Sequence, residues 1–429
     1  MNERLIIADV TLIDGSGASP RTNMDVAIDN GIFHTIRPTR DGSDGAAVID
    51  GRNAYLVPGL WEGHTHLRMR ADEPPTDQIA RLETILESYL AAGITTVLEL
   101  GGPLDIDCRL RERNRTGSPT TTAELLFAGP SFTGIDGWPL GLHHNRSLVR
   151  EVGDPDTARR MVYELADDTD FVKCIYDGEP EAPDKLPRSA LQAIVVAAHE
   201  RGKSVLVHIA TARDIADAVD AGADCIEHTF IPNDPNEVDE AHAVAALLAR
   251  AGVYFSPTLV VFEQIGRSGD RAYLDELVES AIITEDEAYA IAASKTFGSA
   301  FPHHPATETL ARFRYGMRIL PIMRDAGVKI VAGSDVAFFM SRPAALLREM
   351  QLFAQAGLST SDVMVAATRH VAEKIGRGKD AGSIAVGQIA DALLIDADPL
   401  ADIMHIVRAK HRRATICRGR LSGALSVST

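Results

Sequence analysis

The chain is poor in several features that would place a protein quickly. It has only four cysteines in 429 residues, Cys108, Cys174, Cys225 and Cys417. They are dispersed and none shows CxxC spacing, so reduced thiols in a cytoplasmic protein are the expectation. No stretch is apolar enough to span a bilayer. The N-terminus, Met1-Asn2-Glu3-Arg4-Leu5-Ile6-Ile7-Ala8-Asp9-Val10, carries acids early and lacks the long apolar run of a secretory signal. There is no basic tract, and the formal net charge is -17. That balance argues against nucleic acid or an anionic membrane as partner and leaves a small molecule. No GxGxxG follows the first strand of the central region, which speaks against dinucleotide binding.

What is present is ordinary globular material, 45% hydrophobic and 24% charged, in a chain long enough for two domains or one large barrel with additions. Residues 1–58 read as short strands. Asp29-Asn30-Gly31 offers a hairpin turn between Asp25-Val26-Ala27-Ile28 and Ile32-Phe33-His34-Thr35-Ile36. Residues 59–379 change rhythm. Apolar strands at 59–66, 95–100, 125–132, 171–176, 204–209, 225–228, 254–258 and 329–334 alternate with helical stretches such as 155–166, 186–201, 212–221, 239–251 and 310–326. Several of these stretches stop at a glycine (Gly202, Gly222, Gly252, Gly327). This repeat is that of βα units, and eight strands favour a closed (β/α)8 barrel of the TIM type. Residues 380–429 return to β, with two strands around Gly387-Gln388, then Ile406-Val407 and Ala414-Thr415-Ile416-Cys417. Neither end can bury a core alone, so both are expected in one composite β-sandwich domain, 1–58 with 380–429. A helical insertion at about 262–306 interrupts the barrel. It would lie on the face where such barrels carry their chemistry, as a lid or as an oligomer contact.

Val57-Pro58-Gly59-Leu60-Trp61-Glu62-Gly63-His64-Thr65-His66-Leu67 ends in two histidines spaced i, i+2. On a strand they project together and can grip one metal ion; in a loop they would be two unrelated polar residues. Further groups fall at later strand ends. These are Lys173 in Phe171-Val172-Lys173-Cys174, His208 in Val205-Leu206-Val207-His208, His228 in Ile226-Glu227-His228-Thr229, and Asp335 in Gly333-Ser334-Asp335. Each alone has a bland explanation. A strand-end histidine is commonly a hydrogen-bonded rim residue, a strand lysine snorkels, and an aspartate after Gly-Ser caps a helix. Their coincidence at five strand ends of one barrel favours a shared site.

The set resembles the amidohydrolase superfamily of metal-dependent hydrolases, in particular its imidazolonepropionase-like and prolidase-like group. The resemblance runs from Pro58-Gly59-Leu60 through His64-Thr65-His66 to Gly382-Ser383-Ile384, Gly387-Gln388-Ile389-Ala390-Asp391-Ala392 and Asp398-Pro399. It implies two divalent metal ions, zinc in the first place, with manganese, cobalt or iron alternatives. His64, His66 and Asp335 would hold one ion and His208 and His228 the other, with N6-carboxylated Lys173 bridging them. A metal-bridging hydroxide would attack a carbonyl, and Asp335 would act as general base and then acid.

Within the group, Thr211 stands where many deaminases carry a glutamate. Thr133-Gly134-Ile135-Asp136-Gly137-Trp138 departs from the Gly-Gly-His of prolidase-like members, and Thr229-Phe230 replaces their Gly-Thr. His143 or His144 could hydrogen-bond the substrate carbonyl, or both are surface residues. Trp138, Tyr176, Phe230, Phe338, Phe339 and Met340 suggest an apolar rim, and Arg68 and Arg70 are the nearest cations for a carboxylate. The reading is therefore a carbonyl–nitrogen hydrolase that is not a deaminase, acting on a dipeptide-like or N-acyl amino acid amide. Hydrolysis of aryl carbamates, ureas or esters is the alternative among enzymes, and a non-catalytic barrel scaffold is the alternative of another class. A homo-oligomer is expected.

Overall fold

The computed structural model describes residues 4–40, 47–67, 75–116, 121–140, 145–177, 185–295, 297–298, 305–335 and 340–422. The N-terminal strands are β1 (Leu5–Leu12), β2 (Arg21–Asp29), β3 (Ile32–Pro38), β4 (Ala47–Asp50) and β5 (Tyr55–Pro58). Asn30 and Gly31 turn β2 into β3, both with positive φ (53° and 80°) as a tight hairpin requires. β5 leads through Gly59 directly into the central region. A Cβ on Gly59 would lie 2.5 Å from Thr95 Oγ1, so only glycine allows this close crossing.

The central strands form two parallel sheets. One holds β6 (Leu60–Thr65), β7 (Ile94–Glu99) and β8 (Glu124–Phe127), in that order. The other contains β9 (Ser131–Thr133), β10 (Val149–Glu151), β11 (Val172–Tyr176), β12 (Val205–Ile209), β13 (Cys225–Glu227) and β14 (Tyr254–Ser256), in the order β10-β9-β11-β12-β13-β14. Backbone bonds span both gaps between them. Asp170 N–H donates to Phe127 O at 2.9 Å on one side. On the other, residues 329–332 lie between β14 and β6, with Val331 N–H on Phe255 O (2.8 Å) and Gly63 N–H on Ala332 O (3.1 Å).

Helices follow most strands, and their ends are written locally. Asp154 caps Pro155–Leu165, and Thr211 with Asp214 forms a capping box at Ala212–Ala221. Gly222 and Gly252 close Ala212–Ala221 and Asp239–Ala251 in the left-handed conformation. After β14 the insertion is helical, with Leu259–Gly266, Arg271–Glu279 and Glu285–Ala293 ahead of the long helix Ala306–Asp325. Among the described residues no helix is long and apolar enough to cross a membrane.

The tail supplies β15 (Ala392–Ile395), β16 (Arg412–Cys417) and β17 (Arg420–Ser422). These join the N-terminal strands in one eight-stranded mixed sheet, β17-β16-β15-β5-β1-β2-β3, with β4 beside β1. Both ends thus contribute to one apolar cluster that includes Val26, Phe33, Leu56, Ile384 and Leu394. Two tail expectations fail. The stretch before Gly387 forms turns, because the Gln388 side chain bonds Ser383 N, Ser383 Oγ and Gly378 O in place of a ladder. Ile406 and Val407 lie in a short helix, Met404–Val407, whose first N–H is held by Asp402 Oδ1 at 2.9 Å.

A candidate metal centre at the strand ends

The site grows from strand alternation. Phe171, Leu206, Cys225 and Val331 belong to one buried apolar cluster. Two residues on from the first three, and so on the same face of each strand, come Lys173, His208 and Glu227. The apolar layer forms a dry floor and the polar groups stand above it.

Asp335 Oδ1 lies 3.4 Å from His64 Nε2 and 3.2 Å from His66 Nε2. Ligand atoms of these three residues fall within 4.8 Å of one another, the one such group found among the described residues. Asp335 Oδ2 is 3.6 Å from His228 Nδ1. The His228 ring is 4.9 Å from that of His64 and 4.3 Å from that of His208. The structure thus joins His64, His66, His208, His228 and Asp335 in one contact chain. Lys173 is buried, and its Nζ makes no hydrogen bond. Burial lowers the Lys173 pKa, and Lys374 adds to the effect against Glu227 and Asp335. His143, His144, Arg68, Arg70, Phe338 and Phe339 lie outside the described residues.

Three of the four imidazoles are held on one nitrogen by an oxygen within hydrogen-bond distance. His64 Nδ1 is 2.7 Å from Glu227 Oε2, His208 Nε2 is 3.1 Å from Asp177 Oδ2, and His228 Nδ1 is 2.8 Å from Thr258 Oγ1. His66 Nδ1 faces Glu99 Oε1 at 3.8 Å. Such oxygen partners orient imidazoles for metals and leave the second nitrogen as donor. His64 Nε2 is buried and makes no hydrogen bond. Burial, with Lys173, pushes the His64 pKa down to about 4, so the ring is neutral and its lone pair available. Burial opposes charge on Asp335, yet His64, His66 and Lys173 hold its pKa at about 2. Burial also resists protonation of His66, but Asp335 and Glu99 push it up to about 9. The pocket therefore attracts positive charge. Two orphaned nitrogens, on His64 and Lys173, and a nitrogen-plus-carboxylate donor set fit divalent cations of the zinc type.

Backbone strain gathers here too. His228, Thr258 and Asp335 have φ of 79°, 49° and 50°, a region that residues with a Cβ rarely adopt.

Three residues of the expected apolar rim are core instead. Tyr176, Phe230 and Met340 pack into the core, Phe230 against Tyr315 at 5.5 Å. Phe262, from the insertion, is the ring that faces His228, at 6.2 Å. Glu99, Asp177, Thr258 and Lys374 are site residues that no motif marks, and Glu227 stands in a motif without a role assigned to it. Glu99 and Glu227 were detectable as acids inside apolar strands, the signal that exposed Lys173. Thr258 and Lys374 carried none.

Residues 55–422 match the amidohydrolase family, and the chain belongs to that family. It is 37% identical over 94 residues to a dihydroorotase of Thermoanaerobacter sp. (strain X514), and equally to one of Caldanaerobacter subterraneus subsp. tengcongensis. That stretch is 22% of this chain and spans only 20% of either relative. Among solved structures, the chain is similar to a prolidase complexed with N-methylphosphonate-L-proline (TM-score 0.78, 23% identity, covering 97% of this chain and 99% of that one). It also resembles a Xaa-Pro dipeptidase with bound methionine in its active site (0.77, 21%, 97% and 99%). A third is phenylurea hydrolase B (0.71, 19%, 97% and 96%). At such identities the likeness is one of fold.

Proposed function

We propose that this chain is a binuclear metal-dependent hydrolase of carbonyl–nitrogen bonds, acting on a dipeptide-like or N-acyl amino acid amide. The observation that carries the reading is the convergence of His64, His66 and His228 on Asp335, with His208 against the His228 ring, beside a buried lysine amine with no hydrogen-bond partner among the described residues. His64, His66 and Asp335 would hold one divalent ion and His208 and His228 the other, with Lys173 between them. Burial favours the neutral Lys173 amine, which can add to carbon dioxide and lose a proton, giving an N6-carboxylate with two oxygen donors. Held by these residues, two divalent cations would supply acidification of a water and polarisation of a carbonyl.

Asp335 stays ionised at neutral pH, so its carboxylate can take the proton from that water and return it to the leaving nitrogen. Glu227, Asp177 and Thr258 keep the His64, His208 and His228 rings aimed. Phe262 bounds the mouth beside His228. Either His143 or His144 donates to the substrate carbonyl. The central strands close as a (β/α)8 barrel over residues 59–379, with the ends 1–58 and 380–429 as its β-sandwich domain. The second reading is hydrolysis of aryl carbamates, ureas or esters, and a protein of similar fold is named phenylurea hydrolase B. The protein is proposed to be a cytoplasmic homo-oligomer.

The test is metal analysis of the purified chain followed by a screen of dipeptides, N-acyl amino acids and aryl amides, carbamates, ureas and esters. Two ions per chain and turnover of an amide support the reading. Less than one ion per chain, with no turnover after zinc or manganese reconstitution, would favour a scaffold.

A further inference from the structure

Beneath the candidate centre lie two opposite charges whose side chains are wholly covered, Glu227 and Lys374. Lys374 is the last residue of the helix Arg369–Lys374. Its Nζ donates to Glu227 Oε1 at 2.8 Å and to the carbonyl of Gly63 at 2.9 Å. The other oxygen of Glu227 meets His64 Nδ1 at 2.7 Å.

A buried ion pair explains little as a stability device. Desolvating both charges offsets their attraction, and apolar replacements of like volume are often as stable. The geometry here answers a different need. Both Glu227 oxygens are engaged, one by the ammonium and one by the imidazole, so the carboxylate cannot swing off His64. The same ammonium grips the carbonyl of Gly63, the residue before His64. Backbone and ring of one histidine are therefore fastened through a single cation. A carboxylate acceptor at Nδ1 keeps the proton on that nitrogen and leaves the lone pair on Nε2. Nε2 is the nitrogen that lies 3.4 Å from Asp335 Oδ1.

We propose that Lys374 is a positioning residue for metal binding: through Glu227 and the Gly63 carbonyl it holds His64 with Nε2 presented to the ion. The inference rests on the metal-site reading above, and it assigns a role to a helix residue that no strand-end motif includes.

The experiment uses the full chain and zinc alone as probe. Zinc affinity is measured by competition with a chromophoric chelator, and a urea midpoint is taken on each sample. Lys374→Met is expected to weaken zinc binding about 10- to 100-fold, as loss of an outer partner of a ligating histidine does. Because that variant strands a buried carboxylate, it can fail to fold. The double variant Glu227→Gln/Lys374→Met removes both charges at similar volume, and it is expected to regain the urea midpoint but not the affinity. In a His64→Ala background, Lys374→Met should cost no further affinity, since the effect passes through His64. A double variant that binds zinc within twofold of the parent would overturn the proposal, as would full additivity with His64→Ala or a parent chain that takes up no zinc. A parent that binds zinc with the expected dependence yet hydrolyses none of the screened compounds would sink the proposed function and leave this inference standing.

Discussion

Thr258→Val removes one oxygen from the site and nothing else of consequence. The Thr258 hydroxyl lies 2.8 Å from His228 Nδ1, and both residues are buried. Thr258 sits at φ 49°, ψ 49° in the N-cap position of Leu259–Gly266, yet its side chain does not cap that helix. Glu349 does so instead, accepting from Leu259 N at 2.9 Å and Val260 N at 2.7 Å. A β-branched residue in this conformation carries about 1–3 kcal/mol of strain. The strain persists because the released hydroxyl is what fixes the His228 ring. Valine keeps the branching, so strain is unchanged and the loss is one hydrogen bond to a buried imidazole, about 1–3 kcal/mol. Loss of an outer partner of a ligating histidine should lower zinc affinity about 10- to 100-fold. Thr258→Ser keeps the oxygen and relieves the branching, so its affinity should stay within about threefold of the parent with an equal or higher urea midpoint. Chelator competition on the three proteins decides it. Equal affinities for the valine and serine variants would refute the reasoning.

Asp335→Asn is expected to reduce turnover of the best screened substrate by about 10²- to 10⁴-fold, as loss of a general acid–base group does. It should reduce metal content far less; kcat and metal analysis on the same sample check it, and retained turnover with full metal sinks the assignment. Asp391 offers a pH test away from the metal ligands. Burial, opposed by its bond to Arg418 N–H, pushes its pKa up from 3.8 to about 7. The folded state therefore binds more protons than the unfolded state between about pH 4 and 7, and stability is lost as pH rises through that window. Relative to Asp391→Asn, the parent should lose about 2 kcal/mol of unfolding free energy between pH 5 and 7.5, read from urea melts. Parallel profiles would remove Asp391 as the cause. Gly63→Ala would bring a Cβ to 2.4 Å from Ala332 O, where β6 meets the segment that carries Asp335. The cost should be about 1–3 kcal/mol, seen as a lower Tm; an unchanged Tm would mean the two segments can separate freely.

The fold was legible where local chemistry and periodicity agreed. The glycine stops at Gly222 and Gly252 and the Asn30-Gly31 hairpin form as written. The tail misled because its apolar pairs look alike in strand and helix. Gln388 and Asp402, polar residues that bond nearby backbone, decided the outcome at 383–387 and 404–407.

The sequence by itself supplied the candidate metal ligands. His64, His66, Lys173, His208, His228 and Asp335 could be chosen one strand end at a time, because alternation and strand position are local properties. It could not determine what aims them. Glu227 reaches His64 across 163 residues, Lys374 reaches Glu227 across 147, and Glu349 reaches Leu259 across 90. The left-handed conformation of Thr258 has no local cause either, since a β-branched residue disfavours it. Those features exist only when strands remote in sequence close on one another. Burial then leaves each polar group to find whatever partner the fold brings within reach.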